Sequence, residues 1–330
     1  MDKIDFVLIW VDDNDPAWQE SYRHYSKIEF GDTRSVRYRD WGTLKYWFRG
    51  VEKFAPWVNN VYFITCGHYP EWLNLNHPKL KTVRHDEYIP EEFLPTFNSH
   101  TIELNLHRIE SLSEKFVYFN DDTFIINHIS PQRFFSGDKV RDIALLNSPQ
   151  PHGEIMDYVM ANNVGFINRF FNKKEVMRKN PSLWFTPSYG KLLLRTLALY
   201  SYPQFTGLYD PHLPNPFLKE SLRAVWQMDG DTLYQTSMCK FRKYNNVSQY
   251  VFRYYQLMMG LFEPINPWKT SATYISMNDN LMGDVIDEIK ARKKSLICIN
   301  DGDISDFDKS KKMLCDAFES VLPEKSHFEK

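Results

Sequence analysis

Three short apolar runs in this chain stop abruptly at clusters of acids and amides, and no other feature narrows the fold as much. Residues 4–11 run into Asp12-Asp13-Asn14-Asp15-Pro16, residues 116–119 into Asn120-Asp121-Asp122, and residues 295–299 into Asn300-Asp301-Gly302-Asp303. Apolar runs this short, bounded by turn residues, read as buried strands leading into polar loops. Leu44, Trp47, Phe48, Val51 and Phe54 recur at helical spacing, and Pro56 ends that helix. Further strands are expected over 61–66, 80–84 and 143–147, helical character over 99–109, and a last helix over 307–321. Strands alternating with helices imply an α/β fold with a mostly parallel sheet flanked by helices. Such a sheet gathers ligands at the carboxyl ends of its strands.

Residues 149–280 have a different texture, rich in aromatics and prolines, with helices expected over 188–200, 216–228 and 248–261. The organisation that follows is a single domain, 1–330. Residues 1–148 and 295–330 form the α/β core, and residues 149–294 form an inserted aromatic-rich helical subdomain. With 330 residues, 43% hydrophobic and 25% charged, the chain can bury a sizeable core, which excludes disordered and fibrous classes. Forty Lys and Arg against 42 Asp and Glu leave no basic excess, so no nucleic acid is expected as a partner. The four cysteines form no ligand or disulfide spacing, which suits a reducing cytoplasm. The first residues lack the features of a signal peptide, and no stretch approaches the roughly 18 apolar residues of a membrane helix. A soluble, cytoplasmic, at most peripheral protein is expected.

If the three acidic strand ends are neighbours, their oxygens converge on one rim. Hard oxygen ligands suit Mg²⁺ or Mn²⁺, ions that bind alongside substrate phosphates. The plain alternative is that Asp, Asn and Gly are ordinary turn residues. Arg39-Asp40, Arg49, His107-Arg108, His212 and Arg242 supply forks for phosphate oxygens and groups that move protons near neutral pH. The alternative for each is a surface ion pair or a satisfied core histidine. There is no Gly-rich phosphate loop, GxSxG or HExxH, which excludes P-loop enzymes, serine hydrolases and zincins. The residues alone thus lead to a metal-assisted enzyme acting on a phosphorylated, nucleotide-linked substrate.

Four motif blocks stand in order along the chain. The first is residues 4–16, IDFVLIWVDDNDP. The second runs from Arg39-Asp40 through Leu44-Lys45-Tyr46, Ala55-Pro56-Trp57-Val58, Pro70-Glu71-Trp72-Leu73, residues 94–99 and Leu106-His107-Arg108-Ile109 to residues 114–122. The third spans His212 to Phe241-Arg242, and the fourth is residues 297–301, ICIND. In these blocks the chain resembles the Stealth family of hexose-1-phosphate transferases of bacterial capsule synthesis, relatives of the animal GlcNAc-1-phosphotransferase. Asp13 stands where the family has Gly, His100 where a small residue or Pro is expected, and Trp41 where a polar residue is usual.

The resemblance implies a glycosyltransferase-A-like fold. It also implies transfer of an intact sugar-1-phosphate from a UDP-sugar, commonly UDP-GlcNAc, to a polysaccharide or glycolipid hydroxyl, with release of UMP. Asp121 and Asp122, with Asp301 or Asp12, would hold the Mg²⁺ or Mn²⁺. Arg242 and Arg108 would grip phosphoryl oxygens, and His212 would be the general base, with Asp40 as its rival. Asp12, Asn14, Arg39, Arg49, Ser99, His107, Asn120 and Asn300 would contact substrate. The alternatives are an ordinary glycosyltransferase that releases UDP, and an inactive carbohydrate-binding protein. Residues 168–179 interleave five basic side chains with apolar ones, which suggests a weak peripheral contact with an anionic membrane, or simply a solvated helix face.

Overall fold

In the computed structural model, residues 3–34, 38–302 and 304–330 are described, so Asp303 of the third acidic cluster lies outside the described residues. The first apolar run forms β1 (Ile4–Ile9). β2 (Val61–Thr65), β3 (Leu80–Arg84) and β4 (Lys115–Phe119) follow. The later strands are β5 (Thr123–Ile125), β6 (Phe135–Ser136), β7 (Lys139–Asp142), β8 (Asn215–Leu218), β9 (Phe262–Pro264), β10 (Ala272–Ser276) and β11 (Leu296–Asn300). The central sheet has the order β3-β2-β1-β4-β8. β1, β2, β3 and β4 are mutually parallel, as expected, and β8 closes the edge antiparallel to β4. Pro216 sits in that edge strand, where its missing N–H breaks no ladder on the open side.

The helix Leu44–Phe54 buries all five of the residues whose spacing announced it. Gly50 of that helix lies against the Ile125 carbonyl so closely that a Cβ would overlap it, so glycine is what lets the helix press onto β5. One continuous hydrophobic cluster runs from Ile4 to Phe328 and joins early and late segments in a single core.

Two expectations change. Residues 143–147 form no strand, and only Leu146 makes a bridge, to Leu208. Their donors go to side chains instead: the N–H groups of Ile143, Ala144 and Leu146 donate to Asp142 Oδ1, the Tyr189 hydroxyl and Thr196 Oγ1. The third acidic cluster also arrives by another route. β11 is not in the central sheet but pairs parallel to β10 and antiparallel to β5. Because β5 begins just after Asp122, and Ile299 N–H donates to the Asp122 carbonyl at 2.9 Å, Asn300 and Asp301 still reach the same rim.

Residues 149–294 are helical for the most part, with Leu193–Leu199, Lys219–Met228 and Tyr250–Met259 near their expected places. They also supply β8, β9 and β10. The segment is tied in by Arg253, 1% exposed, whose guanidinium donates to Asp142 at 2.8 Å and Asp210 at 2.6 Å. Among the described residues no helix is long and apolar enough to cross a membrane.

Candidate active site

A cleft of about 730 Å³ opens over the carboxyl ends of the parallel strands, where the acidic clusters lie. Its lining gathers Arg39, Asp40, Ser99, Asn120, Asp121, Asp122, His212, Arg242, Asn300 and Asp301 from loops far apart in sequence. Trp10, Trp18, Tyr38, Trp41, Phe97 and Tyr274 add aromatic wall, and Trp18 meets Tyr38 and Phe97 edge-on at 5.0 and 5.6 Å.

Asp121 and Asp122 leave the end of β4 together. Burial first, then the charges of Asp122 and Asp40, push the Asp121 carboxyl up to about 7, with Arg242 opposing. The surface of Asp121 is open to the cleft, so cleft water screens part of this effect. Asp13 is raised by its burial and by Asp12 and Asp40, so like charges line up along this rim. Asp13 also does without glycine's freedom, since among the described residues the non-glycine positions with positive φ are His212 and Arg292.

His212 Nε2 lies 2.9 Å from Asp122 Oδ2, and the ring is half-buried. Burial alone would lower its pKa, but the hydrogen bond and charge of Asp122 outweigh it, and the net direction is upward. The residue holds φ at 46°, a left-handed backbone that costs a histidine about 1–2 kcal/mol. Strain of this kind persists only where the surroundings enforce it, and it collects at functional sites.

Arg242 Nη2 donates to Ser99 Oγ at 2.7 Å. Beneath them is Glu103, 6% exposed, which accepts from the Tyr118 hydroxyl at 3.1 Å and has its pKa raised by burial against the pull of Arg242 and Ser99. Sequence reading missed Glu103. The signal available was its spacing from Ser99, four residues along one helix, which puts both on the same face.

Other expected site residues fall elsewhere. Arg49 is buried beneath the chain's last segment, with Nε and Nη2 on Glu329 at 2.8 and 2.9 Å and Nη1 on Glu319 at 3.0 Å. Arg108 lies over the Trp226 ring, 5.1 Å from its centroid, with Nε on Asn105. His107 sits beside the same indole, its pKa pushed down to about 4 by burial. None of the three lines the cleft. Asp12 and Asn14 also stay off its lining: Asp12 Oδ1 accepts from the Asn14 N–H in a closed turn. Asp301 lines the cleft, but both of its oxygens accept from Arg39, whose guanidinium stacks 4.4 Å above the Phe307 ring. Asp301, expected with Asp121 and Asp122 at the metal, is thus paired with Arg39 on the cleft wall. Asn300 Nδ2 donates to the Asp301 carbonyl.

One oxygen of Asp122, one ring nitrogen of His212 and Cys298 Sγ lie within 4.8 Å of one another. Burial first, then the charge of Asp122, pushes the pKa of the Cys298 thiol up. The oxygens of Asp121 and Asp122, crowded by like charge, are a donor set that suits a hard divalent cation.

Fold and cleft together define an α/β protein whose acidic, basic and aromatic side chains gather at the carboxyl rim of a parallel sheet. Conserved region 2 of Stealth proteins matches residues 37–143. The chain is 42% identical over 334 residues to a capsular polysaccharide phosphotransferase of Streptococcus pneumoniae, covering 100% of this chain and 99% of that protein. It is 41% identical to an exopolysaccharide phosphotransferase of Lactiplantibacillus plantarum, covering 99% of this chain and 96% of that protein. Among solved structures, the apo WbbM bifunctional glycosyltransferase aligns with a TM-score of 0.41 at 11% identity, covering 98% of this chain and 50% of that one. This chain belongs to the Stealth family and is a phosphotransferase.

Proposed function

We propose that the protein transfers an intact sugar-1-phosphate from a UDP-sugar, UDP-GlcNAc or a related hexose, to a sugar hydroxyl of a capsular or other cell-surface polysaccharide, releasing UMP. The observation that carries this reading is the pairing of His212 with Asp122 in the cleft that also holds Asp121 and Arg242. The named activities of its relatives, capsular and exopolysaccharide phosphotransferases, agree with it.

With Nε2–H donating to Asp122, the other ring nitrogen of His212 is a base with a fixed tautomer. The acceptor hydroxyl gives its proton to Nδ1 as its oxygen attacks the β-phosphorus. One P–O bond forms, the bond from that phosphorus to the bridging oxygen breaks, and its electron pair leaves with UMP. The sugar's C1–O bond stays intact, so its anomeric configuration is retained. Asp40, the rival base, has Oδ1 occupied by the Gly42 N–H. Arg242 offers its fork to the phosphoryl oxygens while Ser99 and Glu103 hold its orientation from below. Asp121 and Asp122 would hold Mg²⁺ or Mn²⁺, which when bound neutralises diphosphate charge. Arg39, fixed by Asp301, lines the donor side with Asn120 and Asn300. From the helical subdomain 149–294, Met156, Met160 and Gln249 stand on the cleft wall and shape the acceptor side. A cytoplasmic location is part of the same reading.

The test is to supply a panel of UDP-sugars with oligosaccharide acceptors, identify the nucleotide released, and examine the product by phosphorus NMR. UMP with a phosphodiester product is expected. UDP with a phosphorus-free product would sink the proposal.

A further inference from the structure

The helix Leu193–Leu199 is amphipathic in the wrong sense for a soluble surface. Its inner face is satisfied: Leu192 and Leu193 pack on Ile143, Leu145 and Tyr189, and Thr196 Oγ1 accepts from the Leu146 N–H. Its outer face presents Leu194, 66% exposed, and Leu197, 54% exposed, three residues apart on one side, with Tyr202 at 53% just beyond. Among the described residues nothing covers them.

The charge around them is mostly of one sign, Glu175 being the exposed acid on the neighbouring basic helix. Between Glu175 and Asp210 the sequence has no acid, while Arg178, Lys179, Lys191 and Arg195 are basic, and all four are exposed. Asp210 is itself buried and spent on Arg253. The basic helix Lys173–Lys179 abuts this surface, because Lys173 Nζ donates to the carbonyls of Leu199 and Tyr202 at 2.8 and 2.6 Å. The same contacts redistribute the basic run expected from sequence. Lys173 is buried on those carbonyls and Arg169 pairs with Asp229 at 2.7 Å, which leaves Lys174, Arg178 and Lys179 facing solvent.

From exposed leucines ringed by cations we infer that this face docks onto an anionic lipid bilayer, with Leu194, Leu197 and Tyr202 entering the headgroup layer and Lys174, Arg178, Lys179 and Lys191 meeting lipid phosphates. A second copy meeting the face through the same face would oppose like charges. A soluble polyanion would engage the cations and leave the leucines in water. Only an interface that is anionic outside and apolar within satisfies both.

The experiment is sedimentation of the full chain with phosphatidylcholine vesicles, with and without phosphatidylglycerol, over a range of salt. The wild-type chain is expected to bind only the anionic vesicles and to release as salt rises. Lys174→Gln, Arg178→Gln, Lys179→Gln and Lys191→Gln should weaken binding about fivefold for each charge removed. Leu194→Ser with Leu197→Ser should weaken binding to the anionic vesicles at low salt although every cation is kept. None of these residues lines the cleft, so turnover of soluble donor and acceptor should stay at the wild-type level in every variant, separating this inference from the proposed reaction. Three outcomes would overturn it. The wild-type chain could fail to sediment at low salt. The serine variants could bind like wild type while soluble polyphosphate competes fully, which assigns the face to a polyanion. The chain could self-associate in a way those variants abolish, which assigns the face to a second copy.

Discussion

The two ends of the central sheet treat charge in opposite ways. At the amino end, Asp5 is fully buried and its carboxylate accepts from Asn59 Nδ2, the Asn60 N–H and the Ser113 N–H at 2.7, 3.0 and 2.8 Å. Lys219, 2% exposed, donates to the carbonyls of Ile109 and Leu112, and Lys115 donates to that of Gly137. Each charge there has its partners supplied by the chain. At the carboxyl end, Asp13, Asp40, Asp121 and Asp122 crowd one another, and desolvation together with these charges raises the pKa of Asp121. These acids are half-buried or, for Asp121, open to the cleft. What separates a structural charge from a functional one is whether the fold has already answered it.

The strongest way to break that contrast is to remove charge from the crowded end. Asp122→Asn should cut turnover by about 10³-fold, the scale of losing an electrostatic stabiliser, while the unfolding midpoint stays near wild type. Phosphodiester formation and thermal unfolding measured on one sample check both halves. Arg242→Lys should lose about 10²-fold in kcat, because an ammonium cannot match two oxygens with a planar fork. A lysine variant within a fewfold of wild type would return Arg242 to a structural role.

Asp5→Asn should do the reverse. It removes a buried charge that organises three donors, so stability should fall by about 2 kcal/mol in urea unfolding while kcat per folded molecule is unchanged. The smallest effect sharpens the contrast through pH. The folded Asp121 pKa is raised, to about 7 from 3.8, so the fold favours its protonated form. In EDTA the stability it contributes is complete below about 4 and is lost as pH rises through about 7. Asp121→Asn should abolish that slope and melt roughly 1–3 °C above wild type at pH 8, a margin kept small by the water in the cleft. Equal midpoints for the two proteins across this range would contradict the crowding.

Much of this was legible in the sequence because strands buried on both faces must be continuously apolar and their turns must be polar. β1, β4 and β11 therefore announced themselves together with their acidic ends. Their partners were not legible: a five-residue apolar run does not state which sheet it joins, and β11 found β10 and β5 instead of the central sheet. Arg49 shows the same limit for side chains. Its partner Glu329 is 280 residues away, and nothing near Arg49 in sequence distinguishes a clamp on the far end of the chain from a phosphate ligand. His107 and Arg108 sit in a motif that reads as chemical, yet Trp226 occupies both. The pairing of His212 with Asp122 was the reverse case, two residues singled out separately that only tertiary structure brings to 2.9 Å.

The left-handed backbone at His212 also limits how the position can drift. Glycine adopts such a φ without penalty and asparagine tolerates it, whereas β-branched side chains do not. Replacement by glycine therefore removes the imidazole and the backbone strain together, and His212→Gly should melt no lower than His212→Ala. Such a variant retains the carboxylate of Asp122 beneath a slot the size of the lost ring. Imidazole added from solution could bind there as a detachable base, turning the residue's role into a titratable, reversible quantity.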